Sequence, residues 1–150
     1  MIYEPIKKYC ETLITEFHNI PMQRKQILEK ISYYSASRLK NNKPLQLIYI
    51  CTHNSRRSHF GQVWASVAGA YYKKQVAAYS GGTEATAFNM NAINALNRVG
   101  FEITKSGDSS NPLYKLKFGD DEKTIECFSK VYDNPANPHT EFGAIMTCSD

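Results

Sequence analysis

The stretch that most constrains the fold runs from residue 45 to residue 58, Leu-Gln-Leu-Ile-Tyr-Ile-Cys-Thr-His-Asn-Ser-Arg-Arg-Ser. Its opening residues are apolar at nearly every position and include two β-branched isoleucines, the pattern of a central strand covered on both faces. Past the polar loop, Phe60, Val63, Trp64, Val67 and Tyr71 recur at steps of three and four, which predicts a helix whose apolar stripe lies on that strand. Strand, polar loop and helix in this order form an anion-binding turn, because the backbone N–H groups of a loop opening a helix converge on negative charge.

Within the loop, Cys51 and Arg57 are separated by five residues and Ser58 follows at once. A thiol that attacks a phosphoryl or similar oxyanion must be a thiolate, so its pKa must fall below the usual ~8.5. The loop offers the means. The N–H groups of residues 52 to 57, drawn from Thr52, His53, Asn54, Ser55, Arg56 and Arg57, can hold equatorial oxygens, and the Arg57 guanidinium can bind two of them at once. Ser58 can donate to the thiolate, and Asn54 can brace the loop through the backbone. The alternative is a plain buried thiol at a strand end.

The bulk properties frame this site. With 150 residues, 42% of them hydrophobic, the chain suits one compact core. A net charge of +4 spread along the sequence suits a small anionic substrate and argues against a dedicated nucleic-acid binder. The N-terminus lacks the pattern of a signal peptide and no apolar run reaches membrane-span length, so a cytoplasmic protein is expected, with no membrane partner. Cys10, Cys51, Cys127 and Cys148 are far apart and lack the close pairs of a zinc site, so free thiols and no metal are expected.

Ahead of the central strand, Ile6, Tyr9, Cys10, Leu13 and Phe17 fall at helical spacing. A second helix is expected from about residue 22 to Lys40, burying Ile27, Leu28, Ile31, Tyr34 and Leu39 before Asn41-Asn42-Lys43-Pro44 stops it. Residues 1–44 thus read as an N-terminal helical hairpin, an extension that can pack on the main fold or form a homodimer surface. Residues 45–150 read as the α/β domain. There Val76 to Ser80 predicts a second strand ended by Gly81-Gly82, and Met90, Ile93, Leu96 and Val99 predict a helix from about Asn89, stopped by Gly100. The pattern then loosens. Tyr114, Leu116 and Phe118 alternate with lysines and, with Lys123 to Tyr132, predict an inserted β-hairpin at the edge, while Phe142 to Cys148 predicts a third core strand. Cys10 and Cys127 fall on apolar faces as core thiols. His59 lies on the first turn after the loop, where lining the site and facing solvent are both open readings.

Ile50-Cys51-Thr52-His53-Asn54-Ser55-Arg56-Arg57-Ser58 resembles the active-site loop of the low-molecular-weight protein tyrosine phosphatases and, still more, of the thioredoxin-coupled arsenate reductases that share their fold. The likeness continues through the Trp64 helix, Ala78 to Ala85, Asn91 to Gly100 and Met146 to Asp150, covering roughly residues 45–105 and 142–150. It implies a three-layer α/β fold with a central parallel sheet, Cys51 as nucleophile, Arg57 as transition-state clamp, and Ser58 and Asn54 as supports. It also implies Cys148 as a redox partner if the activity is arsenate reduction, with thioredoxin as reductant and no other cofactor. Expected ligands are phosphate, sulfate or arsenate, and a phosphorylated small molecule or phosphotyrosine protein. A truncated or non-catalytic oxyanion-binding protein is the remaining alternative. His53 stands where the family has glycine, which predicts a positive φ there, and Arg56 replaces a loop cysteine. The family's third redox cysteine and its Asp-Pro general acid lie beyond the third strand, so the chain is expected to lack the family's C-terminal strand and helix.

Overall fold

The computed structural model describes residues 1–149; Asp150, which closes the resembling C-terminal stretch, lies outside them. Two helices, α1 (Glu4–Thr15) and α2 (Met22–Lys40), precede β1 (Leu45–Cys51), α3 (Arg57–Tyr71), β2 (Val76–Gly82) and α4 (Met90–Val99). Four short strands follow: β3 (Glu102–Ser106), β4 (Leu113–Lys117), β5 (Ile125–Cys127) and β6 (Gly143–Met146). Among the described residues no helix is long and apolar enough to cross a membrane.

The apolar run at Leu45 becomes the centre of a parallel sheet ordered β2-β1-β6. Leu45, Leu47, Ile48, Ile50 and Cys51 are all buried, as a strand covered on both faces requires. Cys51 is the strand's last residue, in register with Gly82 of β2. Tyr49 points at α3, which passes over it at Gly61; a Cβ there would lie 2.2 Å from the Tyr49 ring. On β6, Gly143 makes the same allowance for Tyr34 of α2. Ile50 belongs to the opposite face by strand alternation, as does its register partner Gly81, against which Tyr132 is packed.

The α3 stripe does not lie on β1 as expected. Val63 and Val67 instead join Phe88, Ala92, Ile93 and Leu96 around α4, with Phe60 and Trp64 packed alongside. Gly61 and Gly69 approach the parallel sheet instead, where a Cβ would meet Tyr49 and Val76. Each Ile or Leu buried in the second core contributes roughly 1.5–3 kcal/mol. Asn89 caps α4 by accepting from the Asn91 N–H at 2.9 Å, and Gly100 ends it at φ 118 in the left-handed region.

The expected edge hairpin is a three-stranded antiparallel sheet, β3-β4-β5, and it is not peripheral. Tyr114, Leu116, Ile125 and Cys127 pack into the same core as α4. The second hairpin strand stops at Cys127 because residues 128–132 leave the sheet and bond the far end of β2, where Gly82 N donates to Lys130 O and Tyr132 N to Gly82 O, both at 2.9 Å. The third parallel strand is also shorter and less covered than expected. It spans Gly143–Met146 at the sheet edge, with Met146 60% exposed.

The two N-terminal helices find different partners. Ile6 of α1 is fully buried in the α4 core, with Pro5 beside Gly100, whereas α2 packs on β1. Ile27 and Leu28, expected inside, are 53% and 42% exposed, and Tyr9 and Phe17 are exposed as well. Of the residues expected inside, Ile31, Tyr34 and Leu39 are half-buried, and Arg38 lies half-buried with them. Arg38 Nε there donates to Pro44 O at 2.9 Å.

Candidate active site

The loop between β1 and α3 closes around a cavity of about 600 Å³ lined by Cys51, His53, Ser55, Arg56, Arg57 and Thr86. Its carbonyls are drawn outward. Cys51 O accepts from Thr83 N, Thr52 O from Glu84 N at 2.8 Å, and Ser55 O from Asn89 N at 2.9 Å. His53 O accepts from both Ser129 Oγ at 2.9 Å and Thr86 Oγ1 at 3.2 Å. The N–H groups of Asn54, Ser55 and Ser58 turn instead to the Cys51 sulfur, which lines the cavity. The first turn of α3 has no side-chain cap, so the positive end of a 15-residue helix opens on the same space.

Cys51 and Ser58 are held as a pair at the cavity floor, with Cys51 Sγ 3.0 Å from Ser58 Oγ. Asn54 Nδ2 donates to Ser58 Oγ at 2.8 Å, so the serine oxygen is an acceptor there and its own proton is free to point at sulfur. Lys130 N donates to Asn54 Oδ1 at 2.9 Å, which fixes which end of the Asn54 amide faces which partner. Burial pushes the Cys51 thiol up, but hydrogen bonds from the Ser58 hydroxyl and from the N–H groups of Ser58, Ser55 and Asn54 outweigh it and lower its pKa. Thiolate stabilisation here is a hydrogen-bond effect.

The positive φ expected at His53 falls on the next residue, Asn54, at φ 44. Asparagine is among the residues that tolerate the left-handed region, which leaves His53 free of that strain. The His53 side chain lies at the rim, its Nε2 3.5 Å from Glu84 Oε2, both more than half exposed. Arg56 and Arg57 are exposed residues whose side chains line the cavity. Ser55 Oγ turns away to donate to Ala87 O at 2.8 Å, so it contributes backbone rather than hydroxyl.

Cys148 follows β6 and is half-buried beside the loop, its Sγ 3.7 Å from Thr52 Oγ1. Strand pairing brings it there, because Thr147 N and Oγ1 both donate to Ile50 O, at 2.8 and 2.9 Å. Of the remaining thiols, Cys127 is fully buried and pushed up to about 12 by desolvation, while Cys10 is half-buried and also raised by burial. Among the described residues no group of three His, Cys, Asp or Glu side chains is placed to hold a metal ion.

His59 neither lines the site nor faces solvent. It is fully buried, stacked 4.1 Å from the Phe88 ring, and pushed down to about 3 by desolvation with a further push from Lys130. Ser80 Oγ donates to Gln62 Oε1 at 2.6 Å and so receives the His59 Nδ1 proton at 3.2 Å. The neutral imidazole thereby ties α3 to β2 behind the loop.

Residues 83–89 and 129–130 are parts of the site that loop composition does not announce. Thr83 to Ala85 belong to a stretch of the family likeness, but Ser129 and Lys130 sit in a segment with no such signal. No family model, curated protein or solved structure matches the chain.

Proposed function

We propose that the protein is a phosphomonoesterase of the low-molecular-weight protein tyrosine phosphatase type, with Cys51 as nucleophile on a phosphatase-like layered α/β scaffold. The observation that carries this reading is the 3.0 Å Cys51–Ser58 pair, with its lowered thiol pKa, at the floor of a cavity lined by two arginines. In the first step the Cys51 thiolate attacks phosphorus, the S–P bond forms, and the ester P–O bond breaks with its electron pair on the leaving oxygen. Loop N–H groups and the Arg57 guanidinium neutralise the equatorial oxygens as charge builds on them. Water then attacks the phosphocysteine, returning the thiolate and releasing phosphate. Turnover of p-nitrophenyl phosphate, whose leaving group needs no proton, is expected from the wild type and absent in Cys51→Ser. Undiminished turnover in that variant would defeat the proposal.

The position of Cys148 favours a second reading, thioredoxin-linked arsenate reduction. Cys51 would form a sulfur–arsenic ester with loss of water. Attack of the Cys148 thiolate on Cys51 sulfur would then form a disulfide and release the two bonding electrons to arsenic as arsenite, with thioredoxin dithiol restoring both thiols. Mass spectrometry after arsenate treatment distinguishes the two. Loss of two hydrogen atoms across Cys51 and Cys148, the mass change of a disulfide, supports reduction, and two intact thiols exclude it. Phosphate or arsenate binding with neither turnover nor disulfide would leave an oxyanion-binding protein without catalysis.

A further inference from the structure

A second cavity, of about 920 Å³, runs along the free edge of β2 and is separate from the Cys51 loop in its lining. Val76 to Tyr79 form one wall and Ile125, Glu126 and Phe128 the other. Lys130 also lines it, and Lys130 is only 5% exposed. Its ammonium is 3.4 Å from Phe128 O and 4.5 Å over the Phe128 ring, and among the described residues no carboxylate forms an ion pair with it. Glu126 reaches instead to Lys115 at 3.9 Å, and Asp133, three residues on from Lys130, is exposed and outside the lining. Asn137, 3% exposed, lines the same cavity and has a buried Oδ1 with no hydrogen-bond partner, its Nδ2 being spent on Ser80 O and Tyr132 O.

A cation this deeply enclosed without a counter-ion is costly, and so is an orphaned carbonyl. Burial lowers the Lys130 pKa, as that cost requires. Both costs are relieved by one kind of occupant. Lys74, Lys123 and Lys130 stand against Asp121, Glu122 and Glu126 in the lining, but Asp121 is paired with the N-terminal ammonium and Glu126 with Lys115, and no carboxylate of the lining forms an ion pair with Lys130.

We propose that this cavity binds a small amphipathic organic anion, its carboxylate or phosphate head received by Lys130, with Asn137 Oδ1 taking a donor from the ligand and the apolar body lying along β2. The main-chain N–H of Lys130 braces Asn54, so the ligand contacts the residue that supports the Cys51 loop from behind.

The test uses the full chain carrying Arg57→Ala, an exposed residue, so that anions do not report on the Cys51 loop. Amide shifts of residues 76–79 and 130 are followed by NMR on titration with carboxylates of two to eight carbons, the matching phosphate monoesters, and the neutral amides. Saturable shifts with carboxylates alone identify an organic acid, and with phosphate monoesters alone a phosphorylated ligand. Lys130→Met, which replaces the buried charge with an apolar chain of similar length and so keeps the fold, is expected to weaken binding at least tenfold. Lys74→Ala should leave it within threefold. No saturable shift from any anion, equal binding by the amides, or unchanged affinity in Lys130→Met overturns the proposal.

Discussion

The backbone N–H of Lys130 donates to Asn54 Oδ1 at 2.9 Å, so a residue just past β5 holds the loop that carries Cys51. Both partners are buried, and through Nδ2 the same Asn54 amide holds Ser58. Replacing Asn54 by alanine leaves a buried N–H unpaired, a cost of about 1–3 kcal/mol. It also places a Cβ-bearing residue without a polar side chain at φ 44, for roughly another 1–2 kcal/mol. Asn54→Gly removes only the second cost. Thermal denaturation is expected to rank wild type above Asn54→Gly and Asn54→Gly above Asn54→Ala, with phosphatase turnover falling in both variants.

Ser58→Ala takes away the first-named of the hydrogen bonds that lower the Cys51 pKa, while the three backbone donors remain. The thiol pKa therefore moves up, and each unit of that rise cuts the thiolate fraction about tenfold below the pKa. The measurement is the pH dependence of iodoacetamide alkylation at Cys51. The midpoint should shift to higher pH in Ser58→Ala, and an unmoved midpoint would show that the backbone donors alone set it.

His59 supplies an acid limb to the stability curve. Its pKa is about 3 in the fold against 6.5 as its ordinary value, so the folded state binds fewer protons than the unfolded one between those limits. The neutral imidazole therefore contributes stability that is full above about pH 6.5 and is lost as pH falls toward 3, a matter of a few kcal/mol for a group this deeply buried. His59→Gln lowers stability at pH 7 through the lost Phe88 stack, but its stability should fall less steeply between pH 6.5 and 4. Urea midpoints across that range give both quantities.

Gly82 admits no side chain. A Cβ there would stand 2.5 Å from Glu84 O and 2.7 Å from both Asn54 N and Thr52 O, all backbone atoms of or beside the loop. Gly82→Ala is expected to cost on the order of 1–3 kcal/mol and to displace the loop amides. Turnover should fall more than stability predicts, because one of the clashing atoms, Asn54 N, belongs to an N–H group that hydrogen-bonds Cys51. Gly107→Ala, whose Cβ meets nothing within 4 Å, carries only the strain of φ 82 and should leave turnover unchanged.

The parts of this structure that could be read from sequence are those with local causes. The strand from Leu45, the helix start near Asn89 and the Gly100 stop each follow from the side chains at those positions, and all three are present. The Cys51–Ser58 pair was legible for the same reason, as it lies within eight residues, whereas Asn54, expected to brace the loop through the backbone, bonds the Ser58 hydroxyl and the N–H of Lys130. Strand β3 was not legible, because Glu102 to Ser106 offers one half-buried residue, Ile103, among exposed polar ones. The orientation of α3 was misread because an apolar stripe announces burial but not against what. Here two cores compete for the helix, and Gly61 and Gly69 take the side of the parallel sheet. The His59 environment and the Ser129 and Lys130 braces are long-range facts that no local pattern encodes.

The link from residue 54 to residue 130 also has a meaning in time. A chain emerging from the ribosome presents Cys51 to Ser58 long before it presents Lys130, and a contact across 76 positions forms only after much of the intervening chain has been ordered. Until then Asn54 has no anchor and Ser58 no fixed direction, and Cys51 is a thiol of ordinary reactivity. Its nucleophilicity is therefore acquired late, so the alkylation rate of a growing or refolding chain serves as a clock for the arrival of its last third.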